Sequence, residues 1–520
     1  MSPRPPGSEP DYDVAIVGFG PVGAFAALLL AEAGLRVAVL ERSREPVVLP
    51  RAVGLDGETL RAFQRIGLGE RVEAILQPPR EGDEVCFTDS KRNRLFGLDI
   101  PRFGHNGWRD VIFFDQPELE ALLREFVTER QGIDVFLGAE GVAITPREDE
   151  VVIESRGTDA PRTLRAAYAI GCDGASSFVR SALGIDWQSL GYDQDWLVVD
   201  IVQRPEARLP LATMQVCDPE RLTTYVCVKD PNRRWEFQLL PGEVREEMLR
   251  PEKIEALLSS WLPREHYEIR RAAVYQFHAA TAARWQVGRV FLAGDAAHQT
   301  PPFLGQGLNA GFRDAVNLGW KIPLVHAGVC DARLLESYAA ERDAHARDLV
   351  EWAVAIGKLM ETLAAREAGR PDPHPQVDRS AGYGQGRNVP PLRGGVLLDL
   401  QLRGDSPVGS LLRQPTVRRR EEGKVLRLDD RLGRGFALIG RKAGDLRLGA
   451  EAAAILARLG GRALSLEGFE VVEGELDRLF DAHPAAVLRP DRYVFGVVDE
   501  DWSLDRLLGE LARKLALRGG

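Results

Sequence analysis

The sequence predicts an α/β protein in three parts. A dinucleotide-binding βαβ opening comes first, a strand-rich unit interrupts it, and a small α/β domain lies at the C-terminal end. Three observations predict this. The first forty residues read strand, glycine turn, helix, strand. The region from about Asp195 to Leu240 returns to strand period without any phosphate-binding signal. A stretch rich in Gly, Pro, Asp and Arg between Arg366 and Gly395 then separates a tail with its own strand and helix patterns. At 520 residues the chain is too long for one ordinary core, and two or three domains are the natural division.

The elements follow in order. Tyr12–Val17 reads as a buried strand, Pro21–Ala33 as a helix and Arg36–Leu40 as a second strand. A helix is expected from Asp115, whose side chain can cap it with Glu118 three residues on. Short alternating runs at Val142–Ile144, Val151–Glu154 and Leu164–Ile170 suggest an antiparallel ribbon. Trp196–Ile201, Thr223–Val228 and Trp235–Leu239 form the separate sheet, and Val290–Leu292 returns to a buried strand. Gly305–Val325 and Leu334–Leu363 read as long helices. In the tail, Phe436–Gly440, Ala450–Leu459, Tyr493–Val498 and Leu504–Leu515 carry the pattern. The implied units are 1–190 and 286–365 for the dinucleotide domain, 191–285 for the inserted sheet, 366–395 for a linker and 396–520 for the tail. There is no internal repeat.

Composition excludes several functions. A net charge of −10 argues against nucleic acid, which needs a basic face, although a local Arg cluster can still bind a small anion. The five cysteines are odd in number and never spaced C-x-x-C, which fits a reducing, cytoplasmic setting without disulfide framework or cysteine zinc site. Cys217 and Cys227 are read as ordinary strand cysteines rather than a hairpin pair. Val14–Ala31 is uncharged, but Gly18, Gly20, Pro21 and Gly23 break it and Glu32 follows, so no membrane span is expected. The first ten residues, rich in Pro and Ser, read as a loose tail and not as a signal peptide.

The chemistry lies in the glycine turns. Gly18-Phe-Gly20-Pro21-Val22-Gly23 is G-x-G-x-x-G between strand and helix. Its glycines permit the tight turn, admit a pyrophosphate to the backbone, and let helix and strand pack closely; the helix start faces the phosphates. Glu41, closing the next strand with Arg42 after it, stands where an acid can bond a ribose 2′-hydroxyl. This motif alone does not separate FAD from NAD. Two further strand-to-helix turns do so by resemblance: Tyr168-Ala-Ile-Gly-Cys-Asp173-Gly174 and Gly288-Arg-Val-Phe-Leu-Ala-Gly294-Asp295. Both resemble the p-hydroxybenzoate hydroxylase group, the single-component flavoprotein aromatic monooxygenases.

The resemblance implies FAD, with Glu41 on the adenosine ribose, Asp173 organising the pyrophosphate region and Asp295 on the ribityl hydroxyls. Arg51 and Gln116 match family positions along the FAD. Asp295, following an apolar strand, is expected to be buried and in need of hydrogen-bond partners. The run Thr300-Pro301-Pro302-Phe-Leu-Gly305-Gln306-Gly307-Leu308-Asn309 is the most informative in the chain. Prolines make a rigid approach, glycines allow a flat ring to press on backbone, and a helix start favours the negative charge of a reduced flavin. No metal site is expected.

Finer features resemble the 3-(3-hydroxyphenyl)propionate hydroxylase branch. They are Asp115-Gln-Pro-Glu-Leu-Glu, Gln215-Val-Cys-Asp-Pro, Arg233-Arg-Trp-Glu-Phe, Val274-Tyr-Gln-Phe-His278 and Gly311-Phe-Arg-Asp-Ala-Val-Asn-Leu-Gly-Trp-Lys321. A disulfide-reductase cysteine pair and a halogenase W-x-W-x-I-P signature are both missing. The branch implies a thioredoxin-like tail without redox cysteines. It also implies NADH as reductant, with NADPH open, and oxygen that adds at flavin C4a before passing to a phenolic ring. Substrates would be 3-hydroxyphenylpropionate or 3-hydroxycinnamate. Candidate residues at the ring are His278, Pro302, Tyr225 and Arg234, with His278 set against a structural role and Arg234 against a solvent-facing one. Two other readings stay open: a tailoring hydroxylase of polycyclic aromatics and a non-catalytic FAD-binding protein. A homodimer is compatible with all three.

Overall fold

The computed structural model describes residues 9–46, 50–157, 161–377, 389–402, 404 and 406–518. Most of the N-terminal tail and the middle of the expected linker lie outside the described residues.

The first sheet has a parallel core. Val290–Leu292, Arg162–Gly171, Tyr12–Val17, Val37–Glu41 and Ile133–Leu137 lie side by side in that order. Glu140–Pro146 and Val151–Arg156 extend it as the expected antiparallel ribbon. Parallel strands are covered on both faces, so they read as unbroken apolar runs; Val14, Ala15 and Ile16 are fully buried. Helix Pro21–Glu32 packs on this sheet against helix Gly307–His326 and is buried from Val22 to Leu30.

The second sheet is built around two long strands, Trp187–Gln203 and Tyr267–Ala282, which run antiparallel. Outward from them lie Asn232–Gln238, Thr223–Val226, Thr213–Val216, Glu84–Thr88 and Arg94–Asp99. This corrects the sequence-based boundaries. Glu84–Asp99, expected within the dinucleotide unit, joins the second sheet through a parallel pairing of Val85 with Thr213. Alternation along a strand shows that one face is buried but not which sheet it joins. Asp115 is also corrected: the helix spans Gln116–Glu129, yet the Asp115 side chain caps nothing and accepts a 2.9 Å bond from Arg270.

The tail carries a four-stranded mixed sheet, ordered Arg462–Ser465, Ala437–Gly440, Ala485–Leu488, Val494–Val497, with helix Leu504–Lys514 packed on it. Its apolar residues, among them Phe436, Val487 and Leu508, run continuously into the core of the first sheet. The seam is polar at its centre. Glu341 on helix Ser337–Glu367 accepts bonds from Arg489 (2.7 Å), Asn317 (2.6 Å) and the Val396 N–H (2.8 Å), with Lys321 Nζ 2.9 Å away. The five cysteines are free and none belongs to the tail. Among the described residues no helix is long and apolar enough to cross a membrane.

Candidate active site and cofactor cleft

A cleft of about 400 Å³ opens at the C-terminal ends of the parallel strands, where doubly wound sheets bind dinucleotides. Its floor is the first glycine turn. Gly18 holds φ +104°, and a Cβ there would meet the Cys172 carbonyl at 2.4 Å. A Cβ on Gly23 would meet the Gly18 carbonyl at 2.1 Å. Gly20, by contrast, has nothing within 4 Å of such a Cβ, so its backbone is open to the cleft. The helix ladder starts with Ala24 N–H to the Gly20 carbonyl at 2.9 Å. The N–H groups ahead of it, after Pro21, are free for an anion. Glu41 lines the cleft with its carboxylate oriented by the N–H groups of Phe19 and Ser43, both at 2.8 Å. Arg42 is exposed on the same rim.

One face of helix Gln116–Glu129 walls the cleft through Gln116, Glu120 and Arg124, a helical i, i+4, i+8 stripe. Gln116 does not reach outward. Its carbonyl oxygen accepts the N–H groups of Arg51 (3.0 Å) and Ala52 (2.6 Å), and its amide donates to Glu120 at 2.7 Å. It therefore fixes the loop that carries Arg51. Arg124, which the sequence reading passed over, stacks on Phe19 at 4.7 Å and keeps a buried, unpartnered Nε. Its spacing from Gln116 was the available signal. A buried guanidinium nitrogen lacking an acceptor, open N–H groups and an oriented ribose-type acid together fit a dinucleotide with an anionic pyrophosphate.

Asp173 and Asp295 also line this cleft. Asp173 accepts from the Ser177 hydroxyl at 2.5 Å and the Val179 N–H at 3.0 Å, capping the short helix Phe178–Ala182, while burial raises its pKa. Asp295 departs from expectation. It is not buried among protein partners but exposed to the cleft, and among the described residues nothing donates a hydrogen bond to it. The surrounding protein mass still raises its carboxyl, opposed by His298 and Arg51. A ligand with hydroxyl donors would complete it.

The buried acid at this turn is instead Asp314, on helix Gly307–His326. It is bonded by the Gly294 N–H (2.9 Å), His298 Nε2 (2.8 Å) and Arg342 Nε (2.8 Å), and Arg342 with these hydrogen bonds holds it below the usual carboxylate range against full burial. Gly294 takes φ +62°, so Asp314 pins a backbone conformation that suits glycine.

A second, smaller cavity of about 200 Å³ lies between the second sheet and the segments Arg51–Gly54 and Thr300–Leu308, and shares Arg51, Ala52 and Leu308 with the cleft. Pro302, Gly305, Gly307 and Leu308 form one wall. Gly305 sits at φ +61° after the 3₁₀ turn Pro302–Leu304, so the long helix starts at Gly307 rather than at Gly305. A Cβ on Gly305 or Gly307 would meet nothing within 4 Å, which leaves room for a flat ring against the backbone. Asn309 faces away from both cavities. Its fully buried amide bonds Asp56 N (3.1 Å), Thr59 Oγ1 (2.8 Å) and the Gly305 carbonyl (2.7 Å), so it braces the loop through protein contacts alone.

The opposite wall is one face of the second sheet, and side-chain parity decides its members. Thr213 and Gln215, Thr224 and Val226, Arg234 and Glu236 point into the cavity. Tyr225 therefore points the other way. It is fully buried against Trp261 and Trp235, and its hydroxyl donates to the Pro210 carbonyl at 2.8 Å. Arg234 does line the cavity, but four of its five N–H donors are engaged, by Asp200 (2.7 and 3.1 Å) and by the carbonyls of Pro50 and Arg51 (2.6 Å each). Its principal role is to hold the loop that carries Arg51. His278 is outside both cavities, 39% exposed and paired with Asp193 across the long strands. Glu236, two residues from Arg234 on the same face, was missed; the period of two would have found it.

A family model described as FAD binding domain matches residues 11–353, and one described as HcaD C-terminal domain matches residues 409–514. The chain is 32% identical to the 3-(3-hydroxy-phenyl)propionate/3-hydroxycinnamic acid hydroxylase of Shigella sonnei (strain Ss046), over 98% of this chain and 95% of that one. The protein of the same name from Escherichia coli (strain K12) gives the same identity and coverage. Among solved structures, a ternary complex of aklavinone-11 hydroxylase with FAD and aklavinone is similar at a TM-score of 0.80 and 26% identity, covering 98% of this chain and 99% of that chain.

Proposed function

The chain belongs to the FAD-binding-domain family of flavoprotein monooxygenases, and from that premise we propose that it hydroxylates a one-ring phenolic acid such as 3-(3-hydroxyphenyl)propionate or 3-hydroxycinnamate, using NADH and O₂. The observation that carries this reading is the small cavity that adjoins the FAD cleft through Arg51, Ala52 and Leu308.

FAD, when bound, takes hydride from the nicotinamide and activates dioxygen for transfer to a ring. The protein's part is position, dryness and electrostatics. The Gly18–Gly23 turn and Arg124 would hold the pyrophosphate, Glu41 the ribose and Asp295 the ribityl hydroxyls. The Pro302–Leu308 wall would carry the ring system, with the helix N-terminus at Gly307 favouring its reduced, anionic form. Val85, Val111, Phe113 and Val226 give the substrate ring an apolar seat and keep water out.

Size supports a single ring. At about 200 Å³ the cavity is below the ~300–1,000 Å³ common for drug-sized ligands. The likeness to aklavinone-11 hydroxylase favours a polycyclic substrate instead. Oxygen uptake and NADH oxidation against a panel of phenolic acids and polycyclic phenols separate the two. One-ring acids should stimulate both, with products that have gained a single oxygen. Stimulation by polycyclic phenols alone would replace the proposal.

A further inference from the structure

Glu236 stands out within the cavity. It lies on strand Asn232–Gln238, is 4% exposed, and faces the cavity between the second sheet and the Thr300–Leu308 segment. Among the described residues nothing donates a hydrogen bond to it. Its cross-strand neighbours, Thr224 and Val198, do not serve it: Val198 is apolar, and the Thr224 hydroxyl donates to Gln215 at 2.6 Å. The nearest cation, Arg234, holds its Nη1 3.9 Å from the carboxylate, beyond hydrogen-bond reach, with four of its five N–H donors engaged elsewhere. A carboxylate buried without a donor is costly unless a ligand brings one. Here it opens onto an apolar seat sized for one aromatic ring, and a phenol carries such a donor.

We propose that Glu236 accepts the proton of the substrate's phenolic hydroxyl. This assignment rests on the hydroxylase reading. The phenol O–H bond breaks, its electron pair stays on the oxygen, and the proton binds a Glu236 carboxylate oxygen. The phenolate enriches the ring carbon beside it, which takes one oxygen atom derived from O₂. That carbon then loses its hydrogen as a proton, the former phenol oxygen takes up a proton, and the ring recovers aromaticity as a catechol. The second oxygen atom leaves as water, with two electrons and a proton from the hydride of NADH and a further proton from solvent. Release of the proton from Glu236 to solvent resets the site.

The charged groups facing Glu236 are Arg234 on its own strand, Asp200 on strand Trp187–Gln203 and Arg271 on strand Tyr267–Ala282. Arg51, on the loop across the cavity, completes the charged lining. Burial lifts the Glu236 carboxyl to about 7, helped by Asp200 and opposed by Arg234 and Arg271. Only the carboxylate can accept a proton, so hydroxylation should rise with pH through about 7 and level above it.

The test compares FAD-loaded wild type with Glu236→Gln and Glu236→Asp, using 3-(3-hydroxyphenyl)propionate as the probe across mildly acid to mildly alkaline pH. Glu236→Gln should lose roughly 10²-fold or more of the hydroxylation rate at neutral pH. Its remaining rate should climb only as the phenol itself ionises. Glu236→Asp should keep a displaced limb. Affinity for 3-phenylpropionate, which lacks the hydroxyl, should be unchanged in Glu236→Gln. Wild type alone gives a second reading: binding of the hydroxylated acid should respond to pH near 7, and binding of 3-phenylpropionate should not. A Glu236→Gln enzyme with the wild-type pH limb, or equal pH response of both ligands in wild type, overturns the assignment. If wild type hydroxylates no phenol at all, the hydroxylase reading fails first.

Discussion

Glu341 at the seam with the C-terminal domain and Glu236 in the ring cavity are both buried glutamates, and their environments have opposite consequences. Glu341 has Arg489, Asn317, Lys321 and a backbone N–H around it, and they hold its carboxyl down at about 2 despite complete burial. Glu236 accepts no hydrogen bond from the described residues and is pushed up to about 7. Burial raises both. Around Glu341 the charges of Arg489 and Lys321, and then the hydrogen bonds of Arg489 and the Val396 N–H, outweigh it. Around Glu236 the arginines are offset by Asp200 and no hydrogen bond is added. A saturated acid is scaffold, whereas an acid left short of donors and facing a cavity is poised for a ligand. Asp314 and Asp295 repeat the contrast at the Gly294 turn: the first has three partners and fixes Gly294, the second has none among the described residues and faces the cleft.

Four perturbations test that division. The largest loss of stability should come from the seam. Glu341→Ala leaves Lys321 without its counterion, at a cost of about 3–5 kcal/mol. Denaturant unfolding of the FAD-loaded protein should show the first transition at clearly lower denaturant. Because the folded carboxyl lies near 2 rather than its ordinary 4.5, this contribution is complete above about pH 4.5 and fades as pH falls toward 2. An unchanged transition would make the seam incidental.

Next, Asp295→Ala should release noncovalent FAD, since the ribityl hydroxyls lose a charged acceptor worth roughly 1.5–3 kcal/mol. Gel filtration of the variant should separate yellow cofactor from protein; full retention removes Asp295 from the site. Third, Gly307→Val places a side chain in the open space against the wall of the ring cavity. FAD should still bind through the Gly18–Gly23 turn. The flavin should become harder to reduce, and more hydrogen peroxide should be released per NADH oxidised. An unchanged potential with full coupling would mean that this wall does not hold the ring. The smallest effect belongs to His278→Ala, which should leave hydroxylation within about twofold, as a surface substitution away from buried features does. A large loss would draw His278 back into the chemistry.

The cofactor half of the site was legible in the sequence because backbone geometry dictates it. Gly18, Gly23 and Gly294 occupy positions where a Cβ collides or φ is positive, and the strand before each turn is plainly apolar. The half proposed for the substrate was less legible. A strand over Thr223–Val228 was expected and one over Thr223–Val226 forms, but Tyr225 was taken from the face turned away from the cavity, and Arg234 was read without the acid two residues beyond it. Parity gives the two faces of a strand; only tertiary packing says which one meets the cavity. Asp314 and Asp200 could not be found from local pattern at all. Their partners, at Gly294, Arg342 and Arg234, come from other elements of the fold.

The most direct test of the account is the fate of isotopically labelled molecular oxygen during turnover of FAD-loaded enzyme with NADH and 3-(3-hydroxyphenyl)propionate. The account predicts one labelled oxygen on the ring beside the phenol, close to one product per NADH, and no label from water. NADH oxidation that yields only hydrogen peroxide with every one-ring phenol offered, and no labelled product, would contradict it.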